Sequence, residues 1–164
     1  MKKNIKLFGL LLTVLLIAGC SLLKEPTKTY TVNGISVTMK DDFKEKDLVS
    51  VTTYLESTDA IFTALKEEFV NLESVGINRN STLRDYAEAV AYNNNLSSSN
   101  IIEQDGLVYF TYTREVSGKN FYYLATVYKS DDAFWLVNFA CESKNKDSFE
   151  PKFIEWAKTV EFTK

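Results

Sequence analysis

The chain has 164 residues, 45% of them hydrophobic and 25% charged, with 19 basic and 22 acidic side chains. That composition is too apolar for a disordered chain, and the length is too short for a doubly wound enzyme with a second domain. It contains no histidine, which excludes Ser-His-Asp and Cys-His catalysis and every His-based metal centre.

The chain opens with Lys2, Lys3 and Lys6, followed by an apolar run from Leu7 to Ala18. As a helix that run is about 18 Å long, whereas a bilayer core of roughly 30 Å needs about 20 residues. It suits the core of a signal peptide and is too short for a permanent membrane span. Leu16-Ile17-Ala18-Gly19-Cys20 follows directly and resembles the bacterial lipobox. The resemblance implies cleavage between Gly19 and Cys20 and attachment of diacylglycerol to the Cys20 thiol, the strongest nucleophile available. On this reading residues 1–19 are a lipoprotein signal peptide and residues 20–28 a lipidated N-terminus and tether. Residues 29–164 then form one domain. Two acyl chains hold such a domain on a membrane almost irreversibly, so the expected location is the extracytoplasmic face of the cell membrane.

Removing residues 1–19 takes away three of the 19 basic side chains and none of the 22 acidic ones, leaving a net charge of −6. An acidic body stands off an anionic membrane surface, and it lacks the basic patch that nucleic acid requires. The expected partners are therefore the membrane, through the lipid anchor, and an envelope protein or small ligand; no nucleic acid is expected. Cys141 has no internal partner once Cys20 is acylated, and it reads as a small buried hydrophobe.

Beyond the tether, Thr29–Asn33 and Ile35–Met39 flank Asn33-Gly34, which predicts a hairpin. Val49–Glu56 is β-branched and aromatic and predicts a further strand. In Asp59–Leu72 the residues Phe62, Leu65, Phe69 and Leu72 fit helical spacing, while Ala60–Lys66 fits a strand; strand first, then a turn of helix, is the expected order. Ser81–Asn93 predicts a helix, capped by Ser81 or Thr82, with Leu83, Tyr86, Ala87, Val90 and Ala91 as its apolar stripe. Leu107–Glu115, Phe121–Lys129 and Phe134–Glu142 alternate strongly and are joined by turn-forming residues, which predicts an antiparallel meander. Asp147–Lys158 predicts an amphipathic helix and Thr159–Phe162 a short strand rejoining the sheet.

Neither face of the meander is plainly polar. Phe121, Tyr123, Ala125 and Val127 alternate with Tyr122, Leu124, Thr126 and Tyr128. A sheet apolar on both sides must be covered on both sides. The predicted fold is thus α+β, an antiparallel sheet with helices on both faces. The helix STLRDYAEAVAYNN, the meander ending FWLVNFACE and the helix FIEWAKTVEF together resemble the PsbP/DcrB-like proteins. That resemblance implies an α/β/α sandwich and a non-enzymatic accessory or binding module, and it transfers no functional residue.

The sequence offers few sites. Asp41-Asp42, Glu67-Glu68 and Asp131-Asp132 are paired acids. A small carboxylate-dependent hydrolase or carbohydrate-active enzyme would need one of them to converge with another carboxylate in a pocket. Their placement at turns and element edges reads instead as solvated charge. No calcium loop, phosphate loop or nucleophile elbow occurs, so neither a cofactor nor a metal is expected. Tyrosines crowd the meander: Tyr109, Tyr112, Tyr122 and Tyr128 are candidate walls of a groove for a peptide, sugar or apolar ligand. Cross-strand aromatic pairing under a helix explains the same residues and is the favoured expectation. A structural or chaperone-like envelope subunit would show a contiguous exposed apolar patch.

Overall fold

The computed structural model describes residues 25–96 and 100–163. The first hairpin pairs β1 (Thr27–Val32) with β2 (Ile35–Lys40). Asn33 and Gly34 turn it at φ of 50° and 89°, the double positive φ of a type I′ turn, which these two residues adopt at least cost. Then come β3 (Lys44–Glu45), β4 (Thr53–Glu56), β5 (Ala60–Glu68) and the single helical turn α1 (Phe69–Leu72). The segment with two readings is thus strand first and helix second. Helix α2 (Leu83–Asn93) starts at Thr82, whose hydroxyl accepts the Asp85 N–H at 3.1 Å. The Asp85 carboxylate accepts the Thr82 N–H at 2.8 Å in return, so two orphan donors are satisfied reciprocally. The chain ends with β6 (Ile102–Gln104), β7 (Leu107–Val116), β8 (Lys119–Lys129), β9 (Ala133–Glu142), α3 (Lys146–Ala157) and β10 (Glu161–Phe162).

Every strand pairing is antiparallel. A seven-stranded sheet runs β3-β4-β5-β9-β8-β7-β6, and β1-β2-β10 make a second sheet. One face of the large sheet buries Phe62, Leu124, Trp135, Val137 and Phe139 against the small sheet and α3. The other buries Val108, Phe110, Ala125, Val127 and Phe134 beneath α1 and α2, where Tyr86 stacks on Phe134 with ring centres 4.6 Å apart. The fold is α+β with helices on both faces of an antiparallel sheet, and α3 shares its layer with the three-stranded sheet.

Two local expectations are corrected. The strand expected from Val49 begins only at Thr53, because Leu48 and Val49 sit exposed in a loop closed by the Val51 N–H on the Leu48 carbonyl at 3.2 Å. A β-branched run makes a strand only where a pleated surface buries it. The short exposed strands β3 and β6 carry no hydrophobic alternation, so no pattern in the sequence marks them. The last strand pairs with β2 rather than with the meander. Cys141 is buried, and burial pushes its thiol up to about 11, as befits a core hydrophobe.

Candidate functional site

Helices α1 and α2 cover only half of their face of the large sheet. Towards the β8–β9 turn Val108, Phe110, Ala125, Val127 and Phe134 are buried. Towards the β7–β8 turn they are half-exposed: Tyr54, Thr63, Tyr112, Phe121, Tyr123 and Asn138. Ala140, flanked in register by Ile61 and Tyr123, is the buried exception. Strand register produces this surface. Tyr112 pairs with Tyr123, Tyr123 with Ala140, and Tyr54 with Thr63.

The surface is aromatic, and polar at its centre. The rings of Tyr112 and Tyr123 stack at 4.7 Å and 1°, and Phe121 lies 6.5 Å from Tyr123. The Tyr112 hydroxyl donates to Asn138 Oδ1 at 3.2 Å, and the Arg114 guanidinium lies 5.7 Å over the Tyr112 ring. Burial pushes the Tyr112 phenol up to about 12, and burial also raises Tyr123, so both are neutral hydrogen-bonding groups at physiological pH. The rim is charged, and its two carboxylates are paired. Glu56 meets Lys46, and Glu142 meets Lys119 at 3.1 Å and Lys144. Hydrogen bonds from these two lysines hold the Glu142 carboxyl below its ordinary range. Beside Phe121 and Ala140 the surface continues into a cleft of about 440 Å³ that ends at Ser57, Asp59 and Lys144.

The four tyrosines expected to line a groove do not share one. Tyr109, Tyr122 and Tyr128 belong to the α3 face. The Tyr122 hydroxyl donates to Glu150 at 2.7 Å and that of Tyr128 to the Ala157 carbonyl at 2.7 Å, so both tie α3 to the sheet. Tyr112 alone of the four is on the open surface, where its companions are Tyr123, Tyr54, Phe121 and Asn138. Alternation gives each strand's faces; only the register between strands shows which residues meet. Gly19 and Cys20, the lipidation and cleavage positions, lie outside the described residues.

The paired acids are engaged separately. Asp42 meets Lys40 at 2.8 Å, Glu67 accepts the Tyr86 hydroxyl, and Asp132 meets Lys66 at 2.6 Å. Glu68, Glu73 and Asp132 do face a cleft of about 740 Å³ with Arg79. There the hydrogen bond from Lys66 holds Asp132 below its ordinary value, the reverse of what a general acid needs. Among the described residues no group of three or more potential metal ligands occurs, and no helix is long and apolar enough to cross a membrane.

No protein-family model and no curated protein matches the chain. Solved structures do resemble it. A Bacteroides thetaiotaomicron protein aligns at TM-score 0.54 and 12% identity over 84% of this chain and 48% of that one, so this chain spans about half of that protein's length. The cyanobacterial PsbP (CyanoP) of Synechocystis aligns at TM-score 0.52 and 14% identity, over 84% of this chain and 92% of that one. LpqN of Mycobacterium tuberculosis, described as involved in cell envelope biogenesis, aligns at TM-score 0.50 and 11% identity, over 85% and 91%. At such identities the likeness is one of fold: the chain has a fold like that of PsbP.

Proposed function

We propose that this protein is a non-catalytic binding module of the cell envelope, anchored by lipid at Cys20 on the extracytoplasmic face of the membrane, and that its open aromatic sheet surface takes uncharged saccharide rings. The observation that carries the reading is the half-face left uncovered at Tyr112, Tyr123 and Asn138. A pyranose presents C–H groups on one face, which pack on a neutral aromatic ring, and hydroxyls at its edge, which need amide and phenol partners. Glu56 and Glu142 at the rim are already paired with lysines and the Arg114 guanidinium lies over the Tyr112 ring, so the surface suits an uncharged ligand. Its position also fits. Glu25, the first described residue, is bound by Lys152 of α3 at 2.8 Å, on the face of the sheet opposite the open surface. The fold likeness to a mycobacterial protein of cell envelope biogenesis agrees with an envelope location.

Two measurements test this. With a fatty-acid probe in growing cells, the wild type should be labelled and Cys20→Ala should not; equal labelling refutes the anchor. In calorimetric titration of the full chain with chito- and cello-oligosaccharides, Tyr123→Ala should weaken binding about tenfold, the equivalent of one aromatic stacking contact at 1.4 kcal/mol. Heat from neither oligosaccharide with the wild type, or equal affinity in the variant, refutes the saccharide reading.

A further inference from the structure

Strand β7 is ten residues long, but its outer neighbour β6 pairs only with Leu107, Val108 and Tyr109. From Phe110 to Val116 its outer edge has no partner among the described residues, and Thr113 to Val116 are exposed. Natural sheets commonly blunt such an edge with charged side chains, proline, a bulge or a covering element; the charges on this edge are one of each sign, Arg114 and Glu115. This one has no proline, and its pairing with β8 runs without a bulge.

The direction of the backbone groups follows from the flanking turns. Asp105-Gly106 and Ser117-Gly118 both have paired positive φ, and each two-residue turn of this kind closes on a hydrogen-bonded pair, Gln104–Leu107 and Val116–Lys119. Even-numbered residues of β7 therefore bond to β8. Thr111, Thr113 and Glu115 aim their N–H and C=O groups at the open edge.

We propose that this edge pairs antiparallel with the same edge of a second copy, about a two-fold axis at Thr113. In that register Thr113 faces Thr113 of the other copy and exchanges two backbone hydrogen bonds with it. Thr111 faces Glu115 twice, giving four more. Tyr112 faces Arg114, the same cation and ring that already meet at 5.7 Å within one copy, and Phe110 faces Val116. Every apolar side chain thus meets an apolar one and every cation an aromatic ring, each contact occurring twice. Centring on Arg114 would oppose two guanidinium groups, and centring on Thr111 would collide with β6. Centring on Tyr112 leaves Glu115 and Val116 unpaired.

The axis of such a junction stands perpendicular to the sheet, so both faces continue across it. The two open aromatic surfaces then share one side and the two Glu25 ends share the other, an arrangement in which both tethers can reach a single membrane.

The test uses the full chain in detergent micelles. Sedimentation equilibrium should show a wild-type dimer and a Thr113→Pro monomer with an unchanged circular dichroism spectrum, since the lost N–H points out of the sheet. A monomeric wild type, or a dimeric and folded Thr113→Pro, overturns the proposal. Should that variant not fold, oxidation by copper phenanthroline in membranes decides. The hydrogen-bonded pair puts the two Cα atoms about 5.5 Å apart, within disulfide range. Thr113→Cys should therefore give at least tenfold more cross-linked dimer than Thr29→Cys on the edge strand β1 of the small sheet, each measured above the wild-type background. Comparable yields from the two overturn it.

Discussion

Phe139→Ala is expected to lower the free energy of unfolding by about 4 kcal/mol, read as a fall in the urea midpoint at unchanged slope. Phe139 is fully buried on β9, the strand between β5 and β8. Its ring meets Phe62 at 5.4 Å, Phe153 at 5.6 Å and Trp156 at 6.3 Å. Truncation therefore removes contacts to the neighbouring strand and to α3 at once, and rings fixed by other neighbours cannot collapse into the space. For a domain whose total stability is of the order of 5–15 kcal/mol, that is a large fraction. Phe121→Ala is the contrast. Its ring is half-exposed on the open surface, and its loss should cost about 1 kcal/mol. Equal losses from the two variants would show the open half-face to be packed as core, and would remove the surface on which saccharide binding rests.

The difference between those two phenylalanines also marks what could be read from the sequence. Alternation assigns Phe121, Tyr123, Ala125 and Val127 to one face of β8 and Tyr122, Leu124, Thr126 and Tyr128 to the other, and the structure keeps both sets together. Helix α2 was legible because cap and stripe agree: Thr82 and Asp85 form the box while Tyr86, Ala87, Val90 and Ala91 are buried. Sheet coverage was not legible. Two apolar faces imply two covers, but one α2 of 11 residues spans about 16 Å, half of a sheet whose β8 runs for 11 residues. Ten such strand steps extend about 33 Å. The uncovered half is where Tyr112 and Tyr123 become a surface instead of core. The separate β1-β2-β10 sheet was hidden for another reason. β10 is two residues long, and its choice of β2 over the meander depends on where α3 delivers the chain, which is a tertiary outcome.

Alkaline unfolding should begin just above pH 10 and be steep, because several tyrosines hold their protons more firmly in the folded chain than in the unfolded one. Burial, followed by the nearby Glu67 carboxylate, raises Tyr86. Burial and the hydrogen bond to Glu150 raise Tyr122. Burial raises Tyr128, and it pushes Tyr112 up to about 12. An acid whose folded pKa lies above its unfolded value of about 10 binds more protons folded than unfolded at higher pH. Its contribution is thus complete below pH 10 and is lost as the pH climbs from there towards the folded value. Tyr86 and Tyr122 are 1% and 2% exposed. Each removes at most about 1.4 kcal/mol per pH unit, roughly 3 kcal/mol for the pair, with Tyr128 and Tyr112 adding to it. Phenolate absorbance from these residues should appear together with the loss of the far-ultraviolet circular dichroism signal and not before it. Ionisation of all nine tyrosines while that signal stays intact would contradict their buried placement. Tyr122 and Tyr128 fasten α3 to the sheet through Glu150 and the Ala157 carbonyl, and Tyr86 fastens α2 through Glu67. Trp156 on α3 reports the first of these attachments. Its fluorescence should therefore shift in the same pH interval as the phenolate signal, because ionising Tyr122 and Tyr128 releases the helix on which it stands.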